Sequence, residues 1–241
     1  MSTYTGLVGI ASSLPPVADE ASPSHGLGER IDSNDGRAYR YVKNGAVALT
    51  AGNLVQGPAE VTGNQSVVVA AAAVGATEVT TTGTVTVTAN QYAGGWLLGT
   101  AEGGTGNGIL YKIKSHPAAT AAVCTFTLED PLQVAFSSAT QIDLIQNPYN
   151  GVLALITTPT SALLGVAVND ITASQYGWIQ VKGVAAVLND AAGAITVGTD
   201  VCGSNAVAGS MEADTGTQPT FGRAVTGIAA SEIGAVMLTI E

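Results

Sequence analysis

The feature that most constrains this chain is its division into many short apolar segments separated by turn residues. Most of these segments are four to seven residues long, and Gly, Asn, Asp or Pro lies between most of them. Many short strands with polar punctuation are typical of a β-barrel or a β-sandwich. The sequence therefore predicts an all-β fold with little helix, in which the Ala-rich piece at about 117–122 is the best helical candidate.

Apolar and polar residues alternate within single segments, which supports the prediction of strands. Val85 and Val87 alternate with threonines, and the same period of two recurs in ILYKI (109–113) and VCTFTL (123–128). Alternation of this kind buries one face of a strand and leaves the other wet. In the C-terminal half the predicted strands are 152–156, 163–168, 178–181, 184–188, 195–197, 221–225 and 235–240.

The first part of the chain is organised differently. Residues 1 to about 36 contain three prolines and no sustained period, which predicts an extended arm with little core of its own. Two or three strands are expected between 37 and 60, and Asn44-Gly45 predicts a hairpin turn there. The sharpest turn cluster, NPYNG at 147–151, indicates a domain boundary.

Composition excludes several classes of protein. Charged residues are 11% of the chain, against roughly 25% in soluble domains. The net charge of −10 argues against nucleic-acid binding, which needs clustered Lys and Arg. The longest apolar run, 67–76, is shorter than the roughly 18 residues that span a bilayer, and no signal peptide is recognisable at the N-terminus. We therefore expect a protein made in a cytoplasm, with neither nucleic acid nor membrane as partner.

Reactive side chains are scarce. His25 and His116 are each isolated in sequence and are expected to be surface or turn residues, while Cys124 and Cys202 are expected to be buried free thiols. The glycine-rich stretch at 99–108 lacks the phosphate-loop lysine and predicts a flexible β-loop. The sequence predicts no catalytic residue, cofactor or metal site.

Two acidic motifs have ordinary explanations. The adjacent pair Glu129-Asp130 is expected in a solvated turn, because neighbouring strand residues point to opposite faces. Asp32, Asn34 and Asp35 resemble a fragment of a calcium loop, but the twelfth position is Lys43.

Three arginines form the candidate binding residues. Arg30, Arg37 and Arg40 lie within eleven positions at the end of the arm. They could be ordinary surface charges that only keep the protein soluble. Alternatively, they could anchor the arm on an acidic neighbour, because each guanidinium can donate several hydrogen bonds.

Three stretches resemble the head decoration (cement) proteins of tailed bacteriophages. They are GRAYRYVKNGAVALTAGNLVQ (36–56), LGVAVNDITASQYGWIQVKGVAAVL (164–188) and FGRAVTGIAASEIGAVMLTI (221–240). The middle block is also similar to a module of phage structural proteins, in NQYAGGWLL, YKIKSHPAA, TLEDPL and NPYNGV.

The resemblance implies a small β-barrel or sandwich-like domain formed by 37–60 plus 151–241, an inserted β-rich domain at 61–150, and the N-terminal arm at 1–36. It implies a homotrimer on the outer surface of a phage head, with the major capsid protein as partner and Arg30, Arg37 and Arg40 as capsid contacts. The subunit would then stabilise the shell by clamping neighbouring capsid subunits. Removing residues 1–36 is expected to weaken attachment and leave the remainder folded.

Two other functions are open at this point. A phage fibre or adhesin module could recognise a host glycan, with Trp96 and Tyr92 of the Thr-rich block as a sugar-stacking surface. A polysaccharide depolymerase would instead need a pair of carboxylates in a groove.

Overall fold

The computed structural model describes residues 18–100, 104–216 and 218–241. Internal contacts divide these residues into two units. The residues up to Ala59 together with Pro148–Glu241 form unit 1, and Glu60–Asn147 form unit 2. The fold is nearly all β, as predicted.

Unit 1 contains ten strands. They are β1 (Arg30–Asp32), β2 (Ala38–Asn44), β3 (Leu54–Gln56), β12 (Asn150–Ala154), β13 (Leu163–Ala167), β14 (Tyr176–Leu188), β15 (Asp200–Gly203), β16 (Met211–Ala213), β17 (Thr220–Ala224) and β18 (Ile233–Leu238).

Unit 2 contains the other eight strands and a short 3-10 turn at Thr62–Asn64. The strands are β4 (Val67–Val68), β5 (Glu78–Thr80), β6 (Val85–Val87), β7 (Trp96–Gly99), β8 (Leu110–Ser115), β9 (Ala119–Ala122), β10 (Thr125–Leu128) and β11 (Gln141–Ile145).

Five strands of unit 1 close into a small barrel in the order β2-β12-β3-β13-β14, and β14 returns to pair with β2. The β2–β12 pair is parallel and the other four are antiparallel. Closure leaves no free edge in the ring. Small and branched side chains fill it, including Ala38, Val42, Val55, Val152, Ile179 and Val181.

Strand β14 links the barrel to a second layer. Its first half pairs with β2 and β13, and its second half, from Gly183 onward, pairs with β18. Gly183 has φ +81°, a value that a glycine adopts without strain, and its ideal Cβ would lie 2.9 Å from the Arg37 side chain. Two separate strands, 178–181 and 184–188, are therefore the wrong prediction: a glycine bend joins them in one strand.

The second layer of unit 1 continues in the order β14-β18-β17-β15-β16. One face of this sheet is buried in a second core, which includes Val187, Val201, Phe221, Val236 and Leu238. The alternation of buried and exposed residues along β18 leaves the opposite face in solvent.

Asn44 does not form the hairpin turn that its sequence predicts. β2 and β3 are not paired with each other, because β12 lies between them. The Asn44 side chain is buried, and its Nδ2 donates to the carbonyl oxygens of Val47 and Ile171 at 2.9 and 2.8 Å. It satisfies backbone acceptors at the end of the barrel, a long-range role that the Asn-Gly dipeptide does not reveal.

Unit 2 is a six-stranded sheet in the order β4-β11-β7-β8-β10-β5, with the separate pair β6–β9. Its core contains Tyr92, Leu97, Ile113, Phe126 and Ile142.

The Ala-rich piece at 117–122 is a strand, so the helical prediction there is wrong. β9 pairs with β6 through Val85↔Ala122 and Val87↔Ala119. Six residues cannot sustain an isolated helix, and pairing with β6 gives this backbone its hydrogen bonds. None of the helical structure in the described ranges could cross a bilayer.

Candidate interaction surfaces

Two of the three candidate arginines meet on one carboxylate. Arg30 and Arg40 are cross-strand partners in β1 and β2. Arg30 Nη1 donates to Glu241 Oε2 at 2.9 Å, and Arg40 Nε donates to Glu241 Oε1 at 3.1 Å. The shared carboxylate offsets the repulsion between two adjacent guanidinium groups. Glu241 lies about 200 positions away along the chain, so no local motif predicts it.

Arg37 is separate from this group. Its Nε donates to Asp35 Oδ2 at 2.6 Å, within the turn between β1 and β2. This bond, with a second from the Arg37 backbone N–H, lowers the pKa of Asp35 to about 2. Asp32 bonds to Arg30 in the same way, so both carboxylates of the calcium-like fragment are occupied by arginines.

An aromatic cluster lies beside the arginines. Tyr39, Tyr41 and Trp178 are fully buried, although they alternate along their strands with residues of the barrel core. Their side chains therefore lie on the outer side of the barrel wall. Trp178 is the cross-strand partner of Tyr41, with ring centroids 5.0 Å apart in an edge-to-face arrangement.

The described part of the arm covers this cluster. Leu27 and Ile31 pack against it, and the His25 ring lies 5.0 Å from that of Trp178. Tyr41 Oη donates to Glu20 at 3.1 Å, and Glu20 forms an isolated bridge with Tyr176. Residues 20–31 are thus packed on the barrel. Residues 1–17 of the predicted arm lie outside the described residues.

The outer face of the unit 2 sheet presents Trp96. Trp96 is half-buried and pairs across the strands with Lys112 on one side and Ile145 on the other. Tyr92, the other residue expected to stack on a sugar, is fully buried, and its hydroxyl accepts a hydrogen bond from Asn64 at 2.8 Å. The expected pair of stacking aromatics is therefore wrong, and only Trp96 is available at the surface.

His116 is buried, which corrects the expectation of a surface or turn histidine. Its Nε2 accepts the Tyr92 backbone N–H at 3.0 Å, so the proton lies on Nδ1, which donates to the Pro117 carbonyl at 2.9 Å. Burial lowers the pKa of His116. The ring holds two loops of unit 2 together in its neutral form. His25, in contrast, is half-exposed in the arm and bonds to Glu29 at 3.1 Å.

We expect unit 2 to lose stability as the pH falls from 7 to 5. The unfolded chain binds a proton at His116 at higher pH than the folded chain does, so stability rises with pH in this window. One proton limits the slope to about 1.4 kcal/mol per pH unit. Urea unfolding of the wild type and His116→Gln at both pH values measures the effect. Equal pH dependence in the two proteins would contradict it.

The remaining reactive groups are arranged as structural residues. Cys124 and Cys202 are both buried and free. Burial raises the pKa of Cys124, and burial with the nearby Glu212 charge raises that of Cys202 to about 11. Glu129 and Asp130 are exposed in a turn, as expected. The described residues contain no group of three potential metal ligands.

The C-terminal part of the chain is similar to a known protein family. Residues 136–238 match the family model for phage cement proteins. This region is similar to the phage cement proteins. The match confirms the resemblance in the two later stretches, 164–188 and 221–240. It covers about two fifths of the chain and includes strands β11–β18. Searches of curated proteins and of solved structures found no significant match.

The cement family assigns a structural, capsid-associated role. A protein with such a role acts through its surfaces. The surfaces described above are the arginine group with Glu241, the aromatic cluster with its arm cover, and the Trp96 face of unit 2. Glu241 and the arm cover were missed in the sequence, because both depend on contacts between distant segments.

Proposed function

We propose that this protein binds the outside of a phage head as a homotrimer and clamps neighbouring capsid subunits. The observation that carries the proposal is the match of residues 136–238 to the phage cement proteins. A subunit that binds only the assembled shell stabilises it by mass action. The acidic chain, with a net charge of −10, suits the outer surface better than the DNA-filled interior.

We propose the same three parts of the chain that the resemblance implies. Residues 37–60 and 151–241 are the barrel domain, 61–150 are an inserted domain, and 1–36 are the arm. The division of contacts at 59/60 and 147/148 supports the inserted domain of this arrangement.

Arg30, Arg37 and Arg40 are proposed as the contacts with the major capsid protein. A guanidinium has five N–H donors, so it can hold an internal carboxylate and still donate to a partner. Arg37 gives the sharpest test, because its partner Asp35 lies in the same exposed turn and Glu241 is not involved.

We expect Arg37→Ala to weaken binding to heads about tenfold, which is the loss typical of one charged contact at an interface. Labelled protein is titrated onto purified heads assembled without this chain, and bound protein is separated on a density gradient. Lys114→Ala is the matched control, because it removes one exposed positive charge from unit 2. Equal head occupancy for Arg37→Ala and wild type would refute the assigned contact.

The clamping role has its own measurement. Heads decorated with the wild-type protein should release their DNA at a higher temperature than undecorated heads. Recovery of the chain with tails, or no change in the release temperature at full occupancy, would overturn the proposed function.

The alternative is a fibre or adhesin module that binds a host glycan. Its support is the Trp96 face, where an indole lies between Lys112 and Ile145. A glycan array probed with wild type and Trp96→Ala decides between the two functions, because glycan binding that is lost with Trp96 is not expected of a head clamp.

A further inference from the structure

A groove crosses the outer side of unit 1 at the bend of β14. It has a volume of about 490 Å³, and protein clefts that hold ligands measure roughly 300–1,000 Å³. Gln180 lines the groove before the bend at Gly183, and Val184 lines it after the bend. The bend therefore places the groove where the barrel meets the second layer.

Small side chains create the space in this groove. Half of the described residues that line it are alanine or glycine, among them Ala51, Gly52, Ala186 and Ala235. Ala186 is exposed and pairs with Ala235 across β14 and β18, so two methyl groups lie side by side on the groove wall. A larger side chain at either position would occupy the space.

Exposed apolar side chains continue outward from the groove. Val184 and Ile233 line it and are 40% and 55% exposed. Met237, the cross-strand partner of Val184, is 45% exposed. Contiguous exposed apolar surface of this kind marks an interaction site.

The charge at the groove is positive. Arg37 is the only charged side chain among the described residues that line it. Gly183 leaves room for this arginine, because an ideal Cβ there would lie 2.9 Å from the Arg37 side chain. Lys182 is exposed and pairs with Ala38, the residue after Arg37. The bonds of Arg37 to Asp35 engage only part of its N–H donors. This end of the groove therefore favours a carboxylate beside an apolar group.

We propose that the groove receives a segment of the major capsid protein that carries an apolar side chain beside an Asp or Glu. This inference rests on the proposed function, in which Arg37 is a capsid contact, and it adds the apolar part of that contact. The groove is continuous with Arg37, and one guanidinium at its wall serves one partner. The capsid protein, and not a second copy of this chain, is therefore the occupant that agrees with the charge and with the assigned contact.

Filling the groove tests the proposal. Ala186→Phe is expected to weaken binding to purified heads assembled without this chain at least about tenfold, because the ring occupies the space that the capsid segment needs. Ala46→Phe serves as the control, since Ala46 is exposed in a loop of the same unit and does not line the groove. Circular dichroism and thermal unfolding establish that both variants are folded, and sedimentation should show the wild-type oligomeric state for both.

A group attached after folding gives the same test without a bulky substitution. Ala186→Cys introduces an accessible thiol, whereas Cys124 and Cys202 are buried. A bulky maleimide is then coupled to this thiol. The labelled protein should bind heads at least about tenfold more weakly than the same protein without the label.

Coupling between the groove and Arg37 shows whether they hold one partner. If they do, Arg37→Ala should cost less than about threefold in the Ala186→Phe background, against about tenfold in the wild type. An equal loss in both backgrounds would refute the shared contact.

The outcomes separate this inference from the function on which it rests. A wild-type protein that does not bind heads would overturn the proposed function itself. If the wild type binds heads and the folded Ala186→Phe and labelled Ala186→Cys proteins bind equally well, only the groove contact is refuted. If filling the groove breaks the oligomer of the wild type, the groove is a contact between copies and the capsid segment is refuted as its occupant.

Discussion

Replacing Trp178 with alanine is expected to lower the free energy of unfolding by about 3–5 kcal/mol. Trp178 has no exposed surface and contacts the rings of Tyr41 and His25. Its loss leaves a cavity between the barrel wall and residues 20–31, which the β2–β14 pairing cannot close without breaking. Chemical denaturation followed by circular dichroism measures the change.

The matched control is Trp96→Ala. Trp96 is the other tryptophan of the chain, and it is only half-buried on the face of the unit 2 sheet. Replacing Trp96 removes less buried area than replacing Trp178. It should therefore lower the free energy of unfolding by clearly less. A second measurement is local: hydrogen exchange at the Gly28 amide, which bonds to the Tyr41 carbonyl at 2.8 Å, should be faster in Trp178→Ala. Equal destabilisation by both tryptophan variants would contradict the anchoring role of Trp178.

Deleting residues 1–36 is expected to destabilise the barrel by about 3 kcal/mol or more. The deletion removes β1 and the apolar cover of Leu27 and Ile31 from the aromatic cluster. Burial of one such side chain is worth about 1.5–3 kcal/mol when complete, and the exposed rings of Tyr41 and Trp178 add to the loss. The sequence predicts that the shortened chain stays folded, and the contacts of residues 20–31 add the prediction that it is less stable than the full chain.

Deletion of residues 1–17 is the matched comparison, because it retains every described contact of the arm. Thermal unfolding of the two shortened chains beside the full chain distinguishes them. A chain without residues 1–36 that unfolds at the same temperature as the full chain would show that the cover is dispensable. Head-binding experiments on the arm should accordingly use the shorter deletion.

The positions of most strands could be predicted from local pattern. Val85 and Val87 are buried, and the exposed residue between them is a threonine, as period-two alternation requires. The same pattern holds in β8 and β10. Alternation indicates which side chains lie on the same face of a strand, and it can be read from neighbouring residues in the sequence.

Partners of the strands could not be predicted in this way. β2 pairs with β14, more than 130 positions later, and not with β3. Asn44-Gly45 has the composition of a hairpin turn, yet Asn44 is used to bond Ile171 across the barrel. Likewise the short Ala-rich piece adopts the conformation that its partner β6 imposes.

By itself the sequence determined the all-β class, the scarcity of reactive groups and the cement resemblance, because these depend on residue type and short-range order. Tertiary structure alone decided that Tyr92 is buried while Trp96 reaches the surface, that Arg30 and Arg40 share Glu241, and that one sheet face stays apolar and open. The physical reason is that burial and charge pairing depend on which distant segments meet, and closing the barrel selects those segments.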